Sequence, residues 1–150
     1  MDGTVFLEFL HSLLRYGVLL AVGGAGLLAL RGRLFARPIL TWERTVTIVA
    51  VMLCHIQLLL GLVLYALRFK ALHKIYPVGS AHLRFWKFEH IGTMVIAIAL
   101  VTIGRAMAKR AKEEDRKQVL VAVFFLIAFA LMWWATPWPF TAMGISRGWL

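Results

Sequence analysis

The chain has 150 residues, 61% of them hydrophobic and only 16% charged, with a mean hydropathy of +0.80. That balance excludes an ordinary soluble domain and a disordered chain, and it points to an integral membrane protein. The formal charge of +10 would suggest nucleic acid in a soluble protein. Here the Lys and Arg lie between apolar runs, where they set topology and meet anionic lipid head groups, so no nucleic-acid partner is expected.

Cys54 is the only cysteine, which rules out an internal disulfide, a Cys-rich zinc site or an iron–sulfur cluster built from this chain alone. It reads as an inert buried thiol. The first apolar run follows acidic Asp2 and Glu8 rather than a basic start, so it is expected to stay in the mature protein and not to be cleaved as a secretory signal.

Spanning segments are expected at about 5–30, 45–67, 86–104 and 119–135, which makes the chain a single all-α domain, an integral membrane four-helix bundle. In the first segment Tyr16 to Leu30 is uncharged and holds Gly17, Gly23, Gly24 and Gly26. A span needs roughly 20 residues, so this one extends back past His11 and carries Glu8, His11 and Arg15. At about 100° per residue, Glu8, His11, Ser12 and Arg15 share a face that Val22 and Gly26 continue. This face is expected to look into the bundle, its small residues admitting a helix or a flat cofactor.

The first connection, Arg31 to Arg44, carries Arg31, Arg33, Arg37 and Arg44 against Glu43, with Pro38 as a breaker and Trp42 suited to the interface. The second segment is interrupted by His55 and Gln57. Gln57, Gly61 and Tyr65 are spaced by four and share a face, whereas His55 lies about 80° to 160° around from them. The second connection, Arg68 to about Lys87, holds His73 and His82, expected to be solvated or interfacial, with Pro77, Gly79 and five basic residues.

The third segment opens with Arg84-Phe85-Trp86-Lys87-Phe88-Glu89-His90, a carboxylate and an imidazole where hydrocarbon begins. Ionisable groups at that depth are costly and mark function. The third connection, Arg105 to Gln118, and the first together hold ten basic residues against six in the second connection and tails, so both termini are expected outside. The fourth segment, Val119 to about Ala135, has no ionisable residue and ends in Trp133-Trp134 and Pro137-Trp138-Pro139-Phe140. It reads as a packing or lipid-facing wall with interfacial tryptophans.

Two axial ligands of one haem iron must lie at one depth on facing helices. At 1.5 Å per residue, His11 lies about 9 Å and His90 about 6 Å below the outer boundary, and His55 about 18 Å. His11 and His90 are therefore the expected pair for a b-type haem. Trp86, His90, Thr93, Ala97, Val101 and Gly104 share a face with small residues below the histidine. Arg68, Arg84 and Lys87 are rim cations for propionates. Arg15, a turn deeper than His11, needs an anion, with Glu89 or Glu8 as candidates. Glu89 is alternatively a proton handler. His55 is an alternative axial ligand, a neighbour of a quinone or an interhelical hydrogen-bonding group. Gly61 and Tyr65 are packing or cofactor-contact positions.

His11-Ser12, the run His55-Ile56-Gln57-Leu58-Leu59-Leu60-Gly61-Leu62-Val63-Leu64-Tyr65, Arg84 with Glu89-His90, Thr102-Ile103-Gly104 and Pro137-Trp138 resemble a family of small four-helix bacterial membrane proteins commonly labelled cytochrome b. The resemblance covers nearly the whole chain and is most specific in the second and third segments. It implies a multi-pass protein of the bacterial inner membrane, haem b with electron transfer as its role, and His11, His55 and His90 as candidate ligand positions. Quinol, other membrane subunits or a second copy of the chain are the partners to expect beside the lipid bilayer. Two other classes compete: a structural or assembly subunit of a larger respiratory or photosynthetic complex, and a proton or metal-ion carrier using Glu8, Arg15, His55, Glu89 and His90. The absence of paired broken helices counts against the carrier.

Overall fold

The computed structural model describes residues 3–145, apart from the side chain of His73. Asp2 and Arg147, which entered the charge reading, lie outside the described residues. The elements are α1 (Gly3–Leu34), α2 (Thr41–Ile75), a short α3 (Ala81–Arg84), a π-helical turn (Phe85–Glu89), α4 (His90–Arg110) and α5 (Glu114–Ala135), with no strand among the described residues. Four spans, with α3, the π turn and α4 forming one, are each long and apolar enough to cross a membrane. The chain is an all-α multi-pass bundle.

The helices outrun the apolar segments that announce them. α2 has 35 residues, about 52 Å at 1.5 Å per residue against a hydrocarbon core of about 30 Å. It continues past Leu67 because Arg68, Lys70 and Lys74 are good helix formers once outside the hydrocarbon. It stops where Pro77 forces the preceding residue out of the helical region: Tyr76 has φ −114° and ψ 133°. His73 therefore lies in a helix, not in the expected connection. Likewise α4 runs to Arg110 and α5 begins at Glu114, leaving only residues 111–113 between them.

α1 packs on α2 and α5, and α4 packs on α5 and more loosely on α2, so α1 and α4 face each other across the diagonal. Lipid tails are as apolar as the side chains, so close packing rather than hydrophobic transfer holds such helices together. Val22, Val101, Phe125 and Ala128 are fully buried at the centre. Small residues set the spacing: a Cβ on Gly26 would fall 2.9 Å from Leu126, and one on Gly104 would collide with the Phe124 side chain. α5 is the most buried span and α2 the least, which agrees with the fourth segment's reading as a packing wall.

Candidate functional site

At the end of the bundle where α1 and α4 begin, a partly open cavity of about 180 Å³ is lined from all four spans. α1 supplies Glu8, His11, Ser12 and Arg15, the face that the sequence periodicity groups together. α2 supplies Gln57, Gly61 and Tyr65, the stripe spaced by four, and Arg68 three residues further on. Trp86 of the π turn and His90 of α4 line the opposite side. His11 and His90 thus reach one cavity from diagonal helices.

His90 is fixed by an unusual local structure. Ser80 caps α3, its Oγ accepting from the Leu83 N–H at 3.2 Å, and the following turn widens so that the His90 N–H donates to the Phe85 carbonyl five residues back. Such π turns add a residue to the helix, shift its faces and recur at functional sites. The His90 ring lies 5.8 Å, centre to centre, from each of Phe85 and Trp86. Its Nδ1 is 2.9 Å from the Ala135 carbonyl at the end of α5. A carbonyl only accepts, so Nδ1 carries the proton and Nε2 the lone pair. A backbone carbonyl orienting the far nitrogen is the usual support of a metal-ligating imidazole.

His11 is held differently. The Gln57 Nε2 donates to the His11 backbone carbonyl at 2.9 Å, tying α2 to α1. A Cβ on Gly61 would stand 3.1 Å from His11 Cε1, so the glycine makes room for the ring. His11 Nδ1 and Gln57 Oε1 are buried with no hydrogen-bond partner. Leaving such an atom unsatisfied costs about 1–3 kcal/mol, and its presence in a cavity calls for a ligand or water.

Several expected neighbours fall elsewhere. Glu89 is exposed and paired with Arg84 at 2.5 Å, and Arg84 is likewise exposed, so neither lines the cavity. The expectation that Glu89 serves Arg15 is corrected: one residue before His90 it lies about 100° around the helix from the cavity face, and it pairs with Arg84. Glu8, the other candidate, pairs with Arg68 at 2.9 Å. Arg15 instead donates from Nη2 to the Tyr16 hydroxyl at 2.9 Å, its guanidinium lying 4.8 Å from the Tyr16 ring and 5.7 Å from the Trp138 ring. Trp138 is buried against the bundle, its Nε1 donating to the Trp133 carbonyl as the chain after α5 folds back over Tyr16 and Arg15.

His55 is exposed on the outer side of α2, its Nδ1 2.8 Å from its own helix's Val51 carbonyl, and it does not reach the cavity. His82 lies 3.3 Å from the Ala142 carbonyl and stacks on Tyr76. Sequence reasoning passed over Met94 and Met132, which line the cavity. Their spacing was the available signal, since Met94 follows His90 by one turn.

Among the described residues no group of three or more His, Cys, Asp or Glu side chains is placed to hold a metal ion. His11 and His90 are the residues that would hold a metal centre here if a bound macrocycle supplied the remaining donors. The orphaned His11 Nδ1, the carbonyl-oriented His90 and the room left by Gly61 agree with that use. Size is the strained point: about 180 Å³ is below the roughly 300 Å³ at which small-molecule sites begin. Compared with protein-family models, curated proteins and solved structures, the chain finds no match.

Proposed function

We propose that the chain is a membrane cytochrome b, an electron-transfer protein rather than a stand-alone catalyst, with haem b held by His11 and His90. The observation that carries this reading is that two imidazoles from diagonal helices line one cavity, one oriented by a backbone carbonyl and the other with an orphaned buried nitrogen. The haem would supply one-electron redox chemistry, and the chain's own residues would orient it and surround it with apolar side chains. Arg68, on the cavity wall and already beside Glu8, is the cation suited to a propionate. Quinol or a partner subunit of a bacterial inner membrane is the proposed electron donor.

The test is to replace His11 and His90 separately by Ala and measure haem content per folded protein. Loss in both, with retention in His55→Ala, is the expected result. Retention in both single variants would overturn the pairing. The small cavity favours one second reading, a structural subunit of a larger complex whose polar residues join helices. Co-purification at fixed stoichiometry in a haem-free state would support it.

A further inference from the structure

The opposite end of the bundle holds a second cavity, of about 340 Å³, that the electron-transfer reading does not use. Four cations line it from three helices: Arg44 of α2, Arg105 and Lys109 of α4, and Lys117 of α5. Arg105 and Lys117 are half-buried, whereas Arg44 and Lys109 stand at the exposed rim. None of the four is in an ion pair among the described residues. Arg105 Nε is also buried with no hydrogen-bond partner.

Two nearby acids are engaged, and Glu113 and Glu114 lie outside the cavity lining. Glu43, the one carboxylate on the cavity wall, accepts the Leu40 N–H at 2.9 Å and so closes the start of α2. Asp115 lies 3.7 Å from Arg33. Helix polarity sharpens the imbalance. Arg44 and Lys117 are each the fourth residue of their helix, at the positive end of the dipole, where a cation is unfavourable. Sidedness signals do not need this convergence, since Arg31, Arg37, Lys112 and Arg116 lie outside the cavity. Below the charges the wall combines apolar Ala25, Leu28 and Val121 with the buried polar side chains of Thr47 and Gln118.

We propose that this cavity is a binding site for a phosphate-bearing anion. Arg105 and Lys117 contact the phosphate inside the cavity, and Arg44 and Lys109 close over it from the rim. Guanidinium and ammonium groups from three helices would then be tied by one dianion or diester, joining α2, α4 and α5 at this end. A membrane phospholipid head group and soluble phosphate share this chemistry, and an experiment can separate them.

The full-length protein is analysed by native mass spectrometry from detergent with phosphatidylglycerol, with phosphatidylcholine, and with inorganic phosphate alone. Wild type is expected to retain phosphatidylglycerol over phosphatidylcholine if lipid is the source, or to bind inorganic phosphate if a soluble anion is. Arg105→Gln/Lys109→Gln, and separately Arg44→Gln/Lys117→Gln, are expected to weaken that binding about tenfold or more. Arg33→Gln/Lys112→Gln removes the same charge at the same end but outside the cavity, and is expected to change it by less than about twofold. Equal weakening in all three double variants would reduce the effect to surface charge and overturn the site, as would binding of neither anion by wild type. Neither result depends on haem at the other end.

Discussion

His11 and His90 reach the same cavity with different supports, and their substitution should differ accordingly. His90→Ala removes a ring and strands the Ala135 carbonyl, so it is expected to destabilise the fold by about 1–3 kcal/mol as well as to abolish haem binding. His11→Ala strands no partner of the side chain and is expected to lose haem with little loss of stability. Haem content and thermal unfolding on the same samples check both. Gly61→Ala tests the room beside His11: its Cβ would press on Cε1 from 3.1 Å, and a core overpacked in this way loses about 1–3 kcal/mol. The expected outcome is a shifted haem spectrum or potential with the protein still folded. An unchanged spectrum would mean that the His11 ring does not hold the haem.

At the scale of elements, periodicity made the inward faces of α1 and α2 legible, because an uninterrupted α-helix keeps its 3.6-residue repeat. Glu8, His11, Ser12 and Arg15 lie on one wall, as do Gln57, Gly61 and Tyr65, with His55 turned away. The face of the third span was legible only in part. Glu89 pairs with Arg84 outside the cavity, and no simple pattern in Phe85-Trp86-Lys87-Phe88-Glu89 announces the inserted π turn. The burial of Trp138 was not legible either, since it depends on a tertiary turn after α5 rather than on composition. Deleting exposed Phe88 should restore regular α-helix and so abolish the widened turn that brings the His90 N–H to the Phe85 carbonyl and sets the ring between Phe85 and Trp86. A folded bundle with reduced haem content is the expected result. Separately, Gly104→Ala is expected to weaken the α4–α5 contact by about 1–3 kcal/mol in a detergent-unfolding titration, because Phe124 already occupies the space.

At the scale of the whole molecule, the two ends differ in chemistry. One carries the histidine cavity and the other gathers the Arg and Lys of the first and third connections, joined across helices by Gln118 Nε2 donating to the Arg37 carbonyl at 2.7 Å and by Arg33 beside Asp115. Positive residues stay on the cytoplasmic side, so the histidine end is expected to face outward. In a background lacking Cys54, a membrane-impermeant maleimide should label Val78→Cys in intact cells and Lys112→Cys only after permeabilisation. The reverse pattern would invert the topology. The charge asymmetry was legible in the sequence, but the cavity among the charges was not, because it depends on how three helix ends converge.

The central claim is that two imidazoles facing one cavity hold a haem, and the most direct measurement is the dithionite-reduced minus oxidised absorption spectrum of the purified, monodisperse protein. A b-type difference spectrum at about one haem per chain, lost in His11→Ala and in His90→Ala and kept in His55→Ala, is the predicted result. A folded four-helix protein with no haem signal, produced in cells supplied with haem, would contradict it.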